Sequence, residues 1–295
     1  MDRLRNLPQY LLPQRLLTRS VYTLTRIRNP WFKNRLIKAF IKLFKVDMSE
    51  AENPDPFSYP DFNRFFTRAL RADARPFAAG DALLCPVDGA VSQAGAIKDD
   101  VVFQAKGRDF SLGQLLGSEQ RARFFHDGSF ATLYLSPRDY HRIHMPIKGQ
   151  LKEMVHIPGK LFSVSPLTTR MVPNLFARNE RVITLFETAL GPMALVLVGA
   201  INVASIETVW AGTITPPLAS KLRHWTYPAA GQEDAVILER GAEMGRFNMG
   251  STVIVLFAKN AVRWDPAIRA AAEIRMGQKL GERATVETVS SHAAA

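Results

Sequence analysis

From Leu83 onward the apolar residues come in short runs separated by turn signals, and that punctuation limits the fold more than any other feature. Leu83 to Ile97 holds two runs around Asp88-Gly89. Phe130 to Leu135, Leu151 to Ile157, Arg181 to Phe186, Met193 to Val198, Ile206 to Trp210, Ala235 to Leu238 and Val253 to Phe257 follow. Short runs rich in β-branched and aromatic residues, bounded by turn residues, read as strands. In this part of the chain only Phe110 to Phe125 and Pro266 to Arg275 read as helices, and there is no internal repeat. The expected class is therefore mainly β (α+β), one β-rich domain preceded by amphipathic N-terminal helices. The longest apolar run, Met193 to Ile201, falls well short of the roughly 20 residues that span a bilayer.

The chain before Leu83 follows another rule. Of 38 Lys and Arg residues against 27 Asp and Glu, which give a net charge of +11, eleven basic residues lie within residues 1–45 against the one acid Asp2. The remainder is close to neutral, so the basic character belongs to an N-terminal arm and not to the body. On a helix, residues 31–45 gather Phe32, Leu36, Ile37, Phe40, Ile41, Leu43 and Phe44 on one face, with Arg35, Lys38, Lys42 and Lys45 opposite; Trp31 and Lys33 fit less well. That is the pattern of a helix lying in a membrane interface, and also that of a helix covering the protein's own core; the charge asymmetry favours the membrane.

Leu4, Leu7, Leu11, Leu12, Leu16 and Leu17 continue the theme in pieces broken by Pro8 and Pro13. Arginines interrupt every early apolar run and no small-residue cleavage site follows one, so no secretory signal is expected. The protein should sit on a membrane without crossing it. Residues 49–82, with the breaker Asn53-Pro54-Asp55-Pro56 and an aromatic helical piece from Tyr59 to Leu70, read as a connector; Val286 to Ala295 reads as a mobile tail. The single cysteine, Cys85, excludes an internal disulfide and a cysteine-rich metal site.

Three stretches carry chemistry. In Glu243 to Phe257 a flexible approach meets a buried strand, with Gly250-Ser251-Thr252 at the junction. A glycine leaves its carbonyl open to a neighbouring hydroxyl, although a turn glycine followed by a capping serine has the same signature. Tyr134 to Pro146 is bracketed by prolines and reads as a shaped loop holding His141 and His144. Those histidines fit metal ligation, a structural role or base catalysis; the absence of H-E-x-x-H and the adjacent Arg142 speak against a metal. Asp88 is either a carboxylate that orients a base or the first residue of an Asp-Gly hairpin turn. A G-x-S-x-G elbow, a Walker loop and the Rossmann fingerprint are missing.

Taken together these pieces closely resemble the bacterial phosphatidylserine decarboxylases, pyruvoyl-dependent enzymes that cleave themselves to make their cofactor. The likeness runs through nearly the whole chain: the basic arm ending Lys45-Val46-Asp47-Met48, Pro86-Val87-Asp88-Gly89, Tyr134 to Pro146, Val172 to Arg181, Trp210-Ala211-Gly212-Thr213-Ile214 and Met244-Gly245-Arg246-Phe247. The family's cleavage motif Leu-Gly-Ser-Thr stands here as Met249-Gly250-Ser251-Thr252, a change that keeps volume and apolar character.

The resemblance implies a carboxy-lyase that converts phosphatidylserine to phosphatidylethanolamine and CO2. It implies membrane-binding helices over 1–48, a catalytic domain over 83–285, and cleavage between Gly250 and Ser251 into a β chain (1–250) and an α chain (251–295). The Ser251 hydroxyl would attack the Gly250 carbonyl, with His144 as base and Asp88 holding its tautomer. Elimination and hydrolysis would then leave a pyruvoyl group at position 251, the Schiff-base partner of the substrate amine. By the same likeness His141 serves substrate binding, decarboxylation or reprotonation, and Ser163 contacts the lipid phosphate. No pyridoxal phosphate, metal or nucleic acid is implied. The expected assembly is a homodimer of αβ units, peripheral on the anionic cytoplasmic face of the cell membrane. The competing reading is a non-enzymatic membrane- or nucleic-acid-binding protein that uses the basic arm. A body stripped of residues 1–45 should separate the two, since only an enzyme of this kind would cleave itself.

Overall fold

The computed structural model describes residues 13–105, 108–201, 205–215, 220–249 and 251–284. Residues 1–12, Gly250 and the tail from 285 lie outside them, and of Ser251 only the backbone is described.

Helix α1 (Gln14–Leu24) leads to α2 (Pro30–Phe44) and then to the short α3 (Phe62–Phe66). The strands that shape the body are β1 (Gly89–Ala96), β2 (Ser129–Leu135), β3 (Arg142–His144), β4 (Gly149–Ile157), β5 (Arg181–Thr188), β6 (Gly191–Val198), β7 (Ile206–Thr208), β8 (Glu243–Phe247) and β9 (Ser251–Phe257). In the large antiparallel sheet the order is Arg223–Thr226, β4, β5, β6, β9, β2, β1 and Glu273–Ile274, and Ile237–Leu238 also pairs with β4. β9 lies between β2 and β6, and its residues Val253 to Phe257 are fully buried. A strand covered on both faces needs an unbroken apolar run, which Val253-Ile254-Val255-Leu256-Phe257 provides. A smaller sheet runs Gly212–Thr213, β7, β8, β3. The chain leaves β8 in this small sheet and enters β9 in the large one across residues 248–250, so the Gly-Ser junction links the two sheets.

The mainly β expectation holds, with local corrections. Phe110 to Phe125 is no continuous helix: Arg108–Ser111 is a strand, and the rest divides into Leu112–Leu116, Glu119–Ala122 and a 3-10 turn. Gly117, at φ 63°, ends the first of these pieces in the left-handed conformation that favours glycine. Pro266 to Arg275 contains no helix; turns lead into Glu273–Ile274, which pairs with β1. Within the proline-bracketed stretch, residues 142–144 form a strand because β8 offers them backbone partners. Asp88-Gly89 is a strand entrance and not a hairpin turn, since Leu83–Leu84 and β1 belong to different sheets. Gly89 has φ 149°, and a Cβ there would lie 2.1 Å from the Tyr134 carbonyl oxygen, so the close approach of β1 to β2 requires glycine.

The arm is part of the fold. α2 starts with Pro30 behind Asn29, whose side chain accepts the Phe32 N–H, and ends at Lys45 in the left-handed region. Its apolar face is largely occupied: Ile37 is fully buried against Phe62, Phe65 and Phe66, with Leu36, Phe40, Ile41 and Phe44 packed around them. The Phe40 and Phe62 rings meet edge to face at 5.1 Å. Lys33, out of place on the helical wheel, is buried and donates to the Phe57 carbonyl at 2.7 Å. What the arm leaves outside is Leu16, Leu24, Trp31 and Leu43, the last two 65% and 73% exposed. No described helix is long and apolar enough to cross a membrane.

Candidate active site

β3 and β8 build the site. Their register sets Glu243 opposite His144 and Arg246 opposite Arg142, and the Phe247 N–H donates to the His141 carbonyl at 3.0 Å. β8 then runs through Asn248 and Met249 to the junction, beyond which Ser251 pairs with Leu135. Backbone hydrogen bonds thus hold the histidine segment beside the strand that leads into the Gly-Ser bond.

The junction is held from both sides. Asn248 is fully buried: its Nδ2 donates to Ser205 Oγ at 2.6 Å and Glu207 Oε1 at 2.9 Å, and its Oδ1 accepts from Asn63 Nδ2 of α3 at 2.9 Å. Met249 has φ 109°, a conformation that costs a residue with a Cβ about 1–3 kcal/mol. Its side chain packs against the aromatic cluster of α2 and α3.

The His144 Nδ1–H donates to the Gly241 carbonyl at 2.8 Å, which leaves the lone pair on Nε2, and that atom accepts from the Tyr140 hydroxyl at 3.0 Å. Burial lowers the pKa of His144 and the Gly241 bond only opposes this, so the ring is neutral at physiological pH.

Asp88 is buried and its partners differ from those expected. Arg75 Nε donates to Oδ1 at 3.0 Å and to Oδ2 at 3.2 Å, Arg75 Nη2 reaches Oδ2 at 2.5 Å, and the Met276 N–H reaches Oδ1 at 2.8 Å. The same Arg75 donates to Glu50 at 2.7 Å, and Glu50 pairs with Arg275 at 2.9 Å. Burial works against the Arg75 charge, and the hydrogen bonds to Asp88 and Glu50 more than reverse this, holding its pKa above the ordinary value. The anticipated contact in which Asp88 fixes the His144 tautomer is thus replaced: the Gly241 carbonyl holds the ring, and Asp88 acts on it through its charge.

His141 is fully buried, with its ring 4.1 Å from the Phe66 ring and Nδ1–H donating to the Asp139 carbonyl at 2.7 Å. Burial pushes its pKa down to about 3, and its Nε2 has no partner among the described residues. Ser163 is half-buried ahead of the helix Pro166–Met171, and its Oγ accepts the Ser165 N–H at 3.3 Å.

The family model described as Phosphatidylserine decarboxylase matches residues 62–282, and a second, described as PSD, matches residues 4–45. The chain belongs to the phosphatidylserine decarboxylase family. It is 55% identical over 283 residues to the phosphatidylserine decarboxylase proenzyme of Azotobacter vinelandii, covering 95% of this chain and 98% of that one. It is 58% identical over 258 residues to that of Alkalilimnicola ehrlichii, covering 87% and 88%, and 53% identical over 286 residues to that of Nitrosococcus oceani, covering 96% and 92%.

Phosphatidylserine decarboxylases use a covalent pyruvoyl group. The residues around position 251 fit one: His141 Nε2 and Thr252 Oγ1 are both buried polar atoms without a partner among the described residues. In this decarboxylase the sequence reading passed over Arg75, Tyr140, Gly241 and the Asn63–Asn248 pair. Tyr140 and Asn248 lie inside stretches already singled out; Arg75, Asn63 and Gly241 sit in segments that read as connector or turn, and no local pattern marks them.

Proposed function

We propose that this chain is a self-processing phosphatidylserine decarboxylase proenzyme that converts phosphatidylserine to phosphatidylethanolamine and CO2. The observation that carries the reading is the pairing of the His144 strand with β8, directly upstream of Gly250-Ser251, in a chain whose residues 62–282 match the family model.

Each residue then has a task. The Ser251 hydroxyl adds to the Gly250 carbonyl and gives its proton to Nε2 of neutral His144; the peptide C–N bond then breaks as that proton passes to the Ser251 nitrogen, leaving an ester and a free amine. Gly241 fixes the proton on Nδ1, and Tyr140 keeps Nε2 hydrogen-bonded until the serine takes its place. Asp88, anchored by Arg75, supplies a fixed negative charge that favours the imidazolium formed. The strained Met249 raises the energy of the uncleaved chain next to the bond that breaks. The pyruvoyl group at 251 supplies an electrophilic ketone, the electron sink that decarboxylation of an amino acid requires. His141 presents a buried Nε2 lone pair with no partner among the described residues, suited to accept a hydrogen bond from the substrate amino group. Ser163 is assigned to the lipid phosphate on the strength of the family likeness alone.

Trp31, Leu43, Leu16 and Leu24 present apolar surface on a basic arm, which supports seating on an anionic membrane at its cytoplasmic face. The same likeness supports a homodimer of αβ units, which sedimentation of the processed protein tests.

Intact-mass analysis of purified protein should give two chains divided after Gly250, the smaller blocked by pyruvoyl. A single intact chain that releases CO2 from phosphatidylserine at full rate would falsify the proposal. Ser251→Ala and His144→Ala should each leave an uncleaved precursor; normal cleavage by His144→Ala would remove His144 as the base.

A further inference from the structure

Val172 to Arg181 contributes no side chain to the chemistry above, yet it carries a fully buried amide that makes three hydrogen bonds to backbone. Asn179 Oδ1 accepts the Phe162 N–H at 3.1 Å, and its Nδ2 donates to the Phe162 carbonyl at 2.8 Å and to the Gly199 carbonyl at 2.9 Å. One side chain thus serves both backbone groups of residue 162, as a neighbouring strand would. Residues 161–164 belong to no helix or strand although Leu161, Phe162 and Val164 are buried, so their backbone depends on partners of this kind. Gln14 of α1 supplies another: its Oε1 accepts the Leu161 N–H at 2.9 Å. Asn179 is itself fixed in place, since Arg181 Nη1 donates to its carbonyl at 3.0 Å.

The far end of the Asn179 bridge lies at the cleavage junction. Gly199 follows Val198, which pairs with Thr252 of β9, and further along the same chain the Ser205 carbonyl accepts the Asn248 N–H at 2.9 Å. The chain that leaves β6 therefore touches both sides of Gly250-Ser251, and Asn179 joins Phe162 to it. We infer that Asn179 and Gln14 are positioning residues for the substrate: their amides hold residues 161–163 beside the junction as the wall that receives the phosphodiester of the lipid headgroup. The inference rests on the function proposed above, including the assignment of Ser163, and adds the groups that fix that residue's segment. It also anchors the wall to the arm, because Gln14 belongs to the helix that leaves Leu16 and Leu24 exposed.

The diester persists unchanged from substrate to product, so loosening the wall that binds it should raise KM more than it lowers kcat. A neutral hydrogen bond corresponds to roughly 2–10-fold in an equilibrium constant. The test compares the processed wild type, Asn179→Ala, Gln14→Met and Gln14→Glu in mixed micelles at fixed phosphatidylserine surface fraction. Binding of soluble glycerophosphoethanolamine and of ethanolamine is measured in parallel by calorimetry, and hydrogen exchange is followed in the peptide that spans residues 158–165.

The expected result is a KM about tenfold higher in Asn179→Ala and about threefold higher in Gln14→Met, with kcat reduced less than about twofold and faster exchange in the peptide. Glycerophosphoethanolamine should bind each of these variants more weakly by the same factor, while ethanolamine binds all the proteins alike. Gln14→Glu, which keeps an acceptor for the Leu161 N–H, should behave as wild type. If Asn179→Ala does not fold or mature, Gln14→Met decides by the same readings. Faster exchange with KM and glycerophosphoethanolamine affinity unchanged would make the bonds purely structural and overturn the assignment. A fall in kcat at constant KM, an equal loss of ethanolamine binding, or unchanged exchange would overturn it too. Absence of CO2 release by the wild type would refute the decarboxylase reading instead, and the calorimetric comparison would still judge the two amides.

Discussion

Replacing Arg75 by methionine tests the most densely bonded contact at the site. In the wild type Arg75 makes three hydrogen bonds to Asp88 and one to Glu50, with both members of the Arg75–Asp88 pair buried. After Arg75→Met, Glu50 keeps Arg275 at 2.9 Å and Asp88 keeps only the Met276 N–H. The cost therefore falls on one buried carboxylate that has lost its counter-charge, for which about 3–5 kcal/mol is the usual penalty. At about 2–4 °C per kcal/mol for a chain of this size, Tm should fall by roughly 6–20 °C.

The assay is thermal and urea unfolding in the uncleaved Ser251→Ala background, so that processing does not change the molecule under study. A double-mutant cycle with Asp88→Asn isolates the pair: once the charge on Asp88 is gone, Arg75→Met should cost about 2 kcal/mol less than it does alone. A loss below about 1 kcal/mol for Arg75→Met, or strict additivity in the cycle, would refute the view that Asp88 is anchored by Arg75.

Further outcomes follow from the same geometry. His141 titrates at about 3 when folded and near 6.5 when unfolded, so the unfolded state binds the extra proton between those values. Its contribution is complete above pH 6.5 and lost on acidification, at about 1.4 kcal/mol per unit; His141→Asn should flatten ΔG against pH between 6.5 and 4.5, and an unaltered slope would refute the buried neutral ring. Asn248→Ala removes the clamp on the strained junction, so stability should fall by about 1–3 kcal/mol and self-cleavage should slow. A lower Tm with an unchanged cleavage half-time would show that strain at Met249 is irrelevant. Ile37→Ala should cost about 2–5 kcal/mol because it opens a cavity in the α2–α3 cluster. For the same reason deletion of residues 1–45 uncovers Phe62, Phe65 and Phe66, and the truncated chain should expose apolar surface to a hydrophobic dye. That makes Ile37→Ala a milder test of the arm's structural role than the truncation.

The sequence alone determined the class of the fold and the chemistry-bearing segments, because both are written in local patterns. A five-residue apolar run such as Val253 to Phe257 can only be satisfied by burial on both faces, and the alternation of basic and apolar residues over 31–45 is already a helix face. His141, His144, Asp88 and the Gly-Ser bond were visible for a related reason: they lie in compact motifs whose likeness to a known family is read from the letters.

The partners of those residues were not legible. Asp88 is held by Arg75 and Met276, His144 by Gly241 and Tyr140, and Asn248 by Asn63, and all but Tyr140 come from segments distant in the chain. A hydrogen bond between remote residues leaves no trace in spacing or periodicity, since it exists only once two sheets and a helix have packed. The arm shows the same division. Its amphipathic pattern fitted both a membrane surface and a covered core. The packing of α2 on α3 decided that Ile37 is inside and Trp31 outside, because Ile37 faces the aromatic side chains of α3 and Trp31 does not.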